Sequence, residues 1–159
     1  MIVLVMGVAG VGKTTIGEAL ARALGWRFLD ADDYHPPQNV AKMKAGIALQ
    51  DEDRWPWLAR LNKEIRQSEN LVLACSALKE SYRQRLAQGI RQFTVVYLHG
   101  SAELIRARMQ HRKHFMPAAL LDSQFAALEL PARAIAIDVA GEPSACLADI
   151  LAQLKQQQS

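Results

Sequence analysis

The chain has 159 residues, enough for one domain with its own core and too few for a large catalytic domain beside a separate partner domain. Apolar residues make up 50% and charged residues 22%, a balance that excludes wholesale disorder, collagen-like repeats and coiled-coil arrays. Lys and Arg number 19 against 16 Asp and Glu, giving a net charge of +3 and a pI near 9.0. That excess suits anionic ligands, but no dense basic stripe of the kind that marks a nucleic-acid binder is visible.

The first element is Ile2 to Met6, a continuous apolar run rich in β-branched residues and bounded by Gly7, as expected of a strand buried on both faces. Lys13 to Leu24 follows at helical spacing, with Gly25 as its stop. Arg27 to Leu29 reads as a second strand, and the runs Leu71 to Cys75, Thr94 to Leu98 and Ala134 to Val139 resemble it in length. Segments of helical period separate them at Asp53 to Gln67, Leu78 to Gln88, Ala102 to Arg112 and Ser144 to Lys155. Alternating strands and helices indicate a parallel sheet wrapped by helices.

Two stretches interrupt the alternation. Asp30 to Asp53 holds His35, Pro36, Pro37 and Gly46, and Lys113 to Pro131 holds Phe115, Met116 and Pro117 before a short helical segment ending near Leu128. Both exceed an ordinary crossover, and excess loop of this kind carries binding or lid functions. Cys75 and Cys146 show neither CxxC nor metal-ligand spacing and read as small buried residues of a reducing compartment. No apolar stretch reaches the roughly 18 to 20 residues of a membrane span, so the expected setting is the cytoplasm.

Gly7-Val-Ala-Gly-Val-Gly-Lys-Thr14 matches G-x-x-x-x-G-K-[ST] throughout and lies between a buried strand and a helix, where a phosphate loop belongs. Its glycines allow backbone N–H groups, including those around Ala9, Gly10, Val11 and Gly12, to turn inward as an anion nest, and the helix dipole faces the same point. Lys13 can bridge the β and γ phosphates of ATP, the Thr14 hydroxyl can reach Mg²⁺, and Thr15 can bond a phosphate oxygen. The loop alone does not separate GTPases, motor ATPases and small-molecule kinases. No guanine-reading N-K-x-D segment occurs, and the third strand ends in Ser76 rather than a Walker-B aspartate.

The second strand closes on Asp30-Ala-Asp32-Asp33, where one carboxylate can organise the water around Mg²⁺ and another can accept the proton of an attacking hydroxyl. From Asp30 to Leu58 the chain reads DADDYHPPQNVAKMKAGIALQDEDRWPWL, which resembles the gluconokinase family with its H-P, N-x-x-K-M and D-x-D-R-x-P-W-L segments. Cys75-Ser-Ala-Leu-Lys79 with Tyr82 and Arg83, His114-Phe-Met116, Ser123-Gln-Phe125 and Leu128-Glu129 with Pro131 extend the resemblance.

The resemblance implies a P-loop kinase: a three-layer α/β sandwich with a five-stranded parallel sheet in the order 2-3-1-4-5, flanked by helices. A single domain over 1–159 would carry an acceptor-binding insertion near 31–53 and a lid near 112–118. The implied reaction is ATP-dependent, Mg²⁺-assisted phosphorylation of D-gluconate at its 6-hydroxyl, in a chain that can form a homodimer; charge distribution and the lack of a long apolar run add the expectation that neither nucleic acid nor membrane is a partner. Asp32 would be the base and Asp30 a support for Mg²⁺ through water. His35, Lys42, Arg54, Lys79 and Arg83 would serve the acceptor side, where a sugar carboxylate is best held by charge-assisted bonds. Ser76, which ends its strand beside the phosphate loop, can hydrogen-bond substrate or γ-phosphate, or else cap a helix. Trp57 belongs to the pattern but is expected to pack in the core.

Arg108 and Arg112 occupy the place of lid arginines, which close over ATP and neutralise developing charge. The chain departs from the family before His114, where glycine is usual and one residue is missing, and at Ala31, where glycine is usual. Two alternatives stay open: another small-molecule kinase of this fold, such as a shikimate kinase, and a regulatory module that binds ATP without catalysis.

Overall fold

The computed structural model describes residues 1–110 and 118–158. The expected strands appear as β1 (Ile2–Met6), β2 (Arg27–Asp30), β3 (Leu71–Ala74), β4 (Phe93–His99) and β5 (Ile135–Asp138). They form one sheet in the order β2-β3-β1-β4-β5, with every pairing parallel, as expected. Every residue of β1 is buried because layers of helix cover both faces at the centre of the sheet. Val3 and Val5 pack toward one layer with Leu20, Ile150 and Leu154, while Ile2, Leu4 and Met6 pack toward the other with Leu58, Leu61 and Ile65.

The helices are α1 (Lys13–Leu24), α2 (Pro37–Lys44), α3 (Asp51–Arg66), α4 (Glu80–Ala87), α5 (Ala102–Gln110), α6 (Ala118–Ala127) and α7 (Pro143–Gln158). Gly25 ends α1 in the left-handed region, at φ 71°, and its N–H bonds back to Ala21 and Arg22. The insertion between β2 and α3 is more regular than its composition suggests. A one-turn 3₁₀ helix, Ala31–Tyr34, leads into α2, and Pro37 sits at the start of α2, where a missing N–H costs nothing. Among the described residues no helix is long and apolar enough to cross a membrane. The lid expected near 112–118 lies outside the described residues except for its last position, and Arg112 lies outside them too.

β1 is the central strand, with β3 on one side and β4 on the other; the chain fills the β2–β3 side first and then crosses over to β4, so the winding reverses beside β1. Ligands in open parallel sheets sit at the carboxyl ends of strands near such a reversal. The phosphate loop after β1, the acidic segment after β2 and Ser76 after β3 all meet there.

Candidate active site

The phosphate loop runs from Gly7 to Thr14. Gly10 has φ 88°, and a Cβ there would lie 2.8 Å from the Met109 sulfur, so both backbone and space require glycine. Gly12 caps α1 at φ 95°. This helix starts with no side-chain cap and no acidic residue in its first turn, so its N–H groups and positive dipole end are left for an anion. Lys13 Nζ folds over the loop and donates to the Val8 carbonyl at 3.0 Å.

Asp30 joins this loop to the acidic segment. Its Oδ2 accepts the Thr14 hydroxyl at 2.9 Å and its Oδ1 accepts the Asp32 amide at 3.0 Å. Among the described residues no cluster of three or more His, Cys, Asp or Glu could cage a metal. The pair Thr14 and Asp30 nevertheless suits Mg²⁺, which keeps several waters and takes much of its coordination from substrate phosphates.

Asp32 stands in the open cleft with 85% of its side chain exposed, yet protein walls rise on several sides of it. This crowding raises its pKa above the usual 3.8. The Asp30 charge adds to the rise, Lys13 opposes it, and Asp33 adds a little more. A carboxylate with weakened preference for ionisation, next to a phosphate loop, is suited to receive a proton.

A cavity of about 300 Å³ brings these groups together. Its wall includes Ala9, Gly10, Gly12, Lys13, Thr14, Thr15, Asp30, Asp32, His35, Arg54, Trp57, Ser76 and Gln124. A larger hollow of about 700 Å³, lined by Met1, Arg66, Glu69 and Arg91 among others, lies at the amino ends of the strands and holds no phosphate-loop group. On the other side of the loop a cavity of about 240 Å³ is walled by Gly12, Thr15, Arg108, Val139, Gly141, Pro143 and Cys146. Arg108 donates to the Val139 carbonyl and so helps to fix this wall.

The acceptor-side cations divide sharply. Arg54 lines the cleft, and its hydrogen bonds among the described residues, to the Leu49 carbonyl at 2.8 Å and the Tyr82 hydroxyl at 3.2 Å, both run through Nη1. Lys42 instead grips both oxygens of Asp53 at 2.8 and 2.9 Å, and Lys79 pairs with Asp51 at 3.2 Å. Those two aspartates precede Arg54 in the first turn of α3, and Asp53 also closes a capping box with Gln50. Lys42 and Lys79 thus hold the helix end that presents Arg54 and do not themselves line the cleft.

Arg83 requires the strongest correction. It is 3% exposed, and its guanidinium donates to the carbonyls of Ala77 at 2.7 Å, Leu78 at 3.1 Å and Glu129 at 2.8 Å, with Glu80 as its ion-pair partner. Arg83 is therefore a buried brace. It supports the turn after β3, where Ala77 adopts a left-handed φ of 44°, and so holds Ser76 at the cleft. Cys75, beside Ser76, is fully buried, and burial pushes its thiol up to about 12, which leaves it inert.

Trp57 is 4% exposed and donates its indole N–H to the Ala31 carbonyl at 2.8 Å, while its ring stacks on His35 at 4.1 Å. Core packing, as expected, therefore also shapes the cleft floor. Gln124 on α6 was not marked as a site residue by sequence. Its Oε1 accepts the Ala9 N–H at 2.7 Å, so it touches the phosphate loop across 115 positions of chain. Its place in Ser123-Gln-Phe125, a segment that carries the family resemblance, is the only signal in the sequence that could have marked it.

Residues 9–134 match the shikimate kinase family model. The chain is 49% identical to the thermosensitive gluconokinase of Escherichia coli strain K12, covering 80% of this chain and 71% of that protein. The chain belongs to the gluconokinase family. Another member, the gluconokinase of Arabidopsis thaliana, is 44% identical over 80% of this chain and 77% of its own. The crystal structure of a gluconokinase from Sinorhizobium meliloti 1021 superposes with a TM-score of 0.91 at 44% identity, covering 98% of this chain and 91% of that one.

Proposed function

We infer that this chain transfers the γ-phosphoryl group of ATP to the 6-hydroxyl of D-gluconate, giving 6-phospho-D-gluconate and ADP. The observation that carries this reading is the single cavity shared by Lys13 of the phosphate loop, the Asp32 carboxylate and the Arg54 guanidinium. A phosphate binder, a base and a fork for a carboxylate are the three parts the reaction needs.

ATP would lie with its phosphates in the nest before α1 and its base toward the cavity beside Arg108. Lys13 would leave the Val8 carbonyl to meet the phosphates. Thr14 and Asp30 would hold Mg²⁺, which when bound neutralises charge on the phosphate oxygens. Arg54 would take the gluconate carboxylate and so aim the far end of the sugar acid at the loop. Asp32 then accepts the O6 proton as the bond from O6 to the γ-phosphorus forms and the bond from that phosphorus to the β–γ bridging oxygen breaks. Arg112 would complete the phosphate contacts, and the expected setting for both substrates is the cytoplasm.

ATP consumption measured across a panel of sugar acids and shikimate tests the reading. Turnover should rise with gluconate. Stimulation by shikimate without stimulation by gluconate would overturn it, and ATP binding with no acceptor-dependent turnover would favour a regulatory module.

A further inference from the structure

Asn39, at the first turns of α2, is 1% exposed and carries an unusual load for a buried amide. Its Nδ2 donates to the Asp53 carbonyl at 2.9 Å and lies 3.2 Å from His35 Nδ1, while its Oδ1 is buried without a hydrogen-bond partner among the described residues. Turning the amide over would set Oδ1 against the Asp53 carbonyl, acceptor against acceptor, so the orientation is determined by the two donated bonds. With an N–H aimed at it, His35 Nδ1 must be an acceptor. The ring proton then sits on Nε2.

Nε2 faces Asp32, 3.9 Å from its Oδ1, and His35 lines the cleft cavity while its ring lies nearly parallel to Trp57, with a 16° interplanar angle. Burial, with the Arg54 charge adding to it, lowers the His35 pKa to about 4, so the ring is neutral at physiological pH. A charged imidazolium here would form an ion pair with Asp32 and weaken it as a base. A neutral ring leaves that carboxylate available.

We propose that Asn39 is a positioning residue that locks His35 in its Nε2-protonated neutral tautomer, so that His35 presents an uncharged N–H donor beside Asp32 to a hydroxyl oxygen of the polyol acceptor. This accounts for the separation of labour in the cleft: Arg54 reads the charge of the sugar acid and His35 reads its hydroxyl chain. It also explains the spacing of the H-P and N-x-x-K segments, since residues four apart on the turn into α2 bring the amide onto the ring. The second half of the proposal rests on the sugar-acid kinase reading; the first half does not.

Long-range ¹H–¹⁵N correlation spectra of the full chain at neutral pH read the tautomer directly. The chain has four histidines, and a His35→Phe spectrum assigns the missing signals. His35 should show a protonated Nε2 and an acceptor Nδ1; a protonated Nδ1, or an imidazolium, overturns the tautomer lock whatever the substrate is. Asn39→Ala should release the lock and give a mixed tautomer population, and a wild-type tautomer retained in that variant would remove Asn39 from the role. His35→Phe keeps a ring on Trp57 but loses the N–H, so the KM for gluconate should rise about tenfold with the KM for ATP unchanged. An unchanged gluconate KM in that variant, with the Nε2–H tautomer present in the wild type, would discard the acceptor contact alone. If gluconate proves not to be the acceptor, the tautomer measurement still stands on its own.

Discussion

The Thr14 hydroxyl donates to Asp30 at 2.9 Å, and the opposite oxygen of the same carboxylate receives the backbone N–H of Asp32. One side chain thereby couples the loop that would hold the phosphoryl donor to the segment that bears the base. The distance between donor and acceptor groups is then set by a carboxylate rather than by a flexible loop, and such fixed geometry is what in-line transfer rewards.

Asp32→Asn should lower kcat by about 10²–10⁴-fold, the usual worth of a positioned base, while leaving ATP affinity near the wild-type value. Steady-state kinetics with an independent nucleotide-binding titration measures both. Loss of ATP binding in parallel with kcat would place Asp32 on the donor side instead.

The raised pKa of Asp32 has a sign that can be read in both activity and stability. A carboxyl whose pKa rises on folding favours the folded state while protonated, below its unfolded value of about 3.8, and that contribution is lost as pH rises through the folded value. Ionised Asp32 therefore opposes folding at neutral pH. Asp32→Asn should raise Tm at neutral pH, with the gain shrinking as pH falls toward 3.8, and wild-type kcat/KM should decline as pH falls through the raised value. Asp51 and Asp53 have the opposite sign. Hydrogen bonds from Tyr82 to Asp51 and from Lys42 to Asp53 are the leading causes that lower their pKa values, so their contribution is present above the unfolded value and disappears in stronger acid.

Arg54 and Arg83 should separate cleanly by kinetics and by stability. Arg54→Met removes a charge-assisted contact, and the gluconate KM should rise about 10- to 100-fold with little change in the KM for ATP. Arg83→Met strands three backbone carbonyls of the brace, so it should lower stability by about 3 kcal/mol or more while the protein that remains folded keeps its gluconate KM. A reversal of these two patterns would return Arg83 to the acceptor site.

Gln124→Glu preserves an acceptor for the Ala9 N–H but brings a negative charge beside the phosphate loop. Tm should change little and the KM for ATP should rise. An unaltered ATP KM would mean that the α6 contact lies away from the phosphates.

The parts of the site legible in the sequence were those written in contiguous residues. The phosphate loop is one such unit, with its glycines, Lys13 and Thr14 fixed by spacing, and the buried β1 before it was equally plain. The strand order and the acceptor segments came from the family resemblance and not from periodicity. Pro36 and Pro37 hid α2, because a proline that opens a helix looks the same in sequence as one that prevents it. Arg83 reads as an acceptor-side residue through the family resemblance, and nothing local in the sequence signals that carbonyls from Ala77, Leu78 and Glu129 converge on it. Lys42 and Lys79 lie in the segments that the resemblance marked, but their ion pairs were not legible, since their partners, Asp53 and Asp51, lie 11 and 28 positions away. Gln124 could not be placed against Ala9 by any local pattern.

The most direct measurement is the identity of the product. Purified protein incubated with ATP, Mg²⁺ and ¹³C-labelled D-gluconate should give one phosphomonoester, with ³¹P–¹³C coupling that places the phosphate on C6 and one ADP formed per product. Phosphate at another carbon, or ADP formed without any phosphorylated sugar acid, would contradict the account.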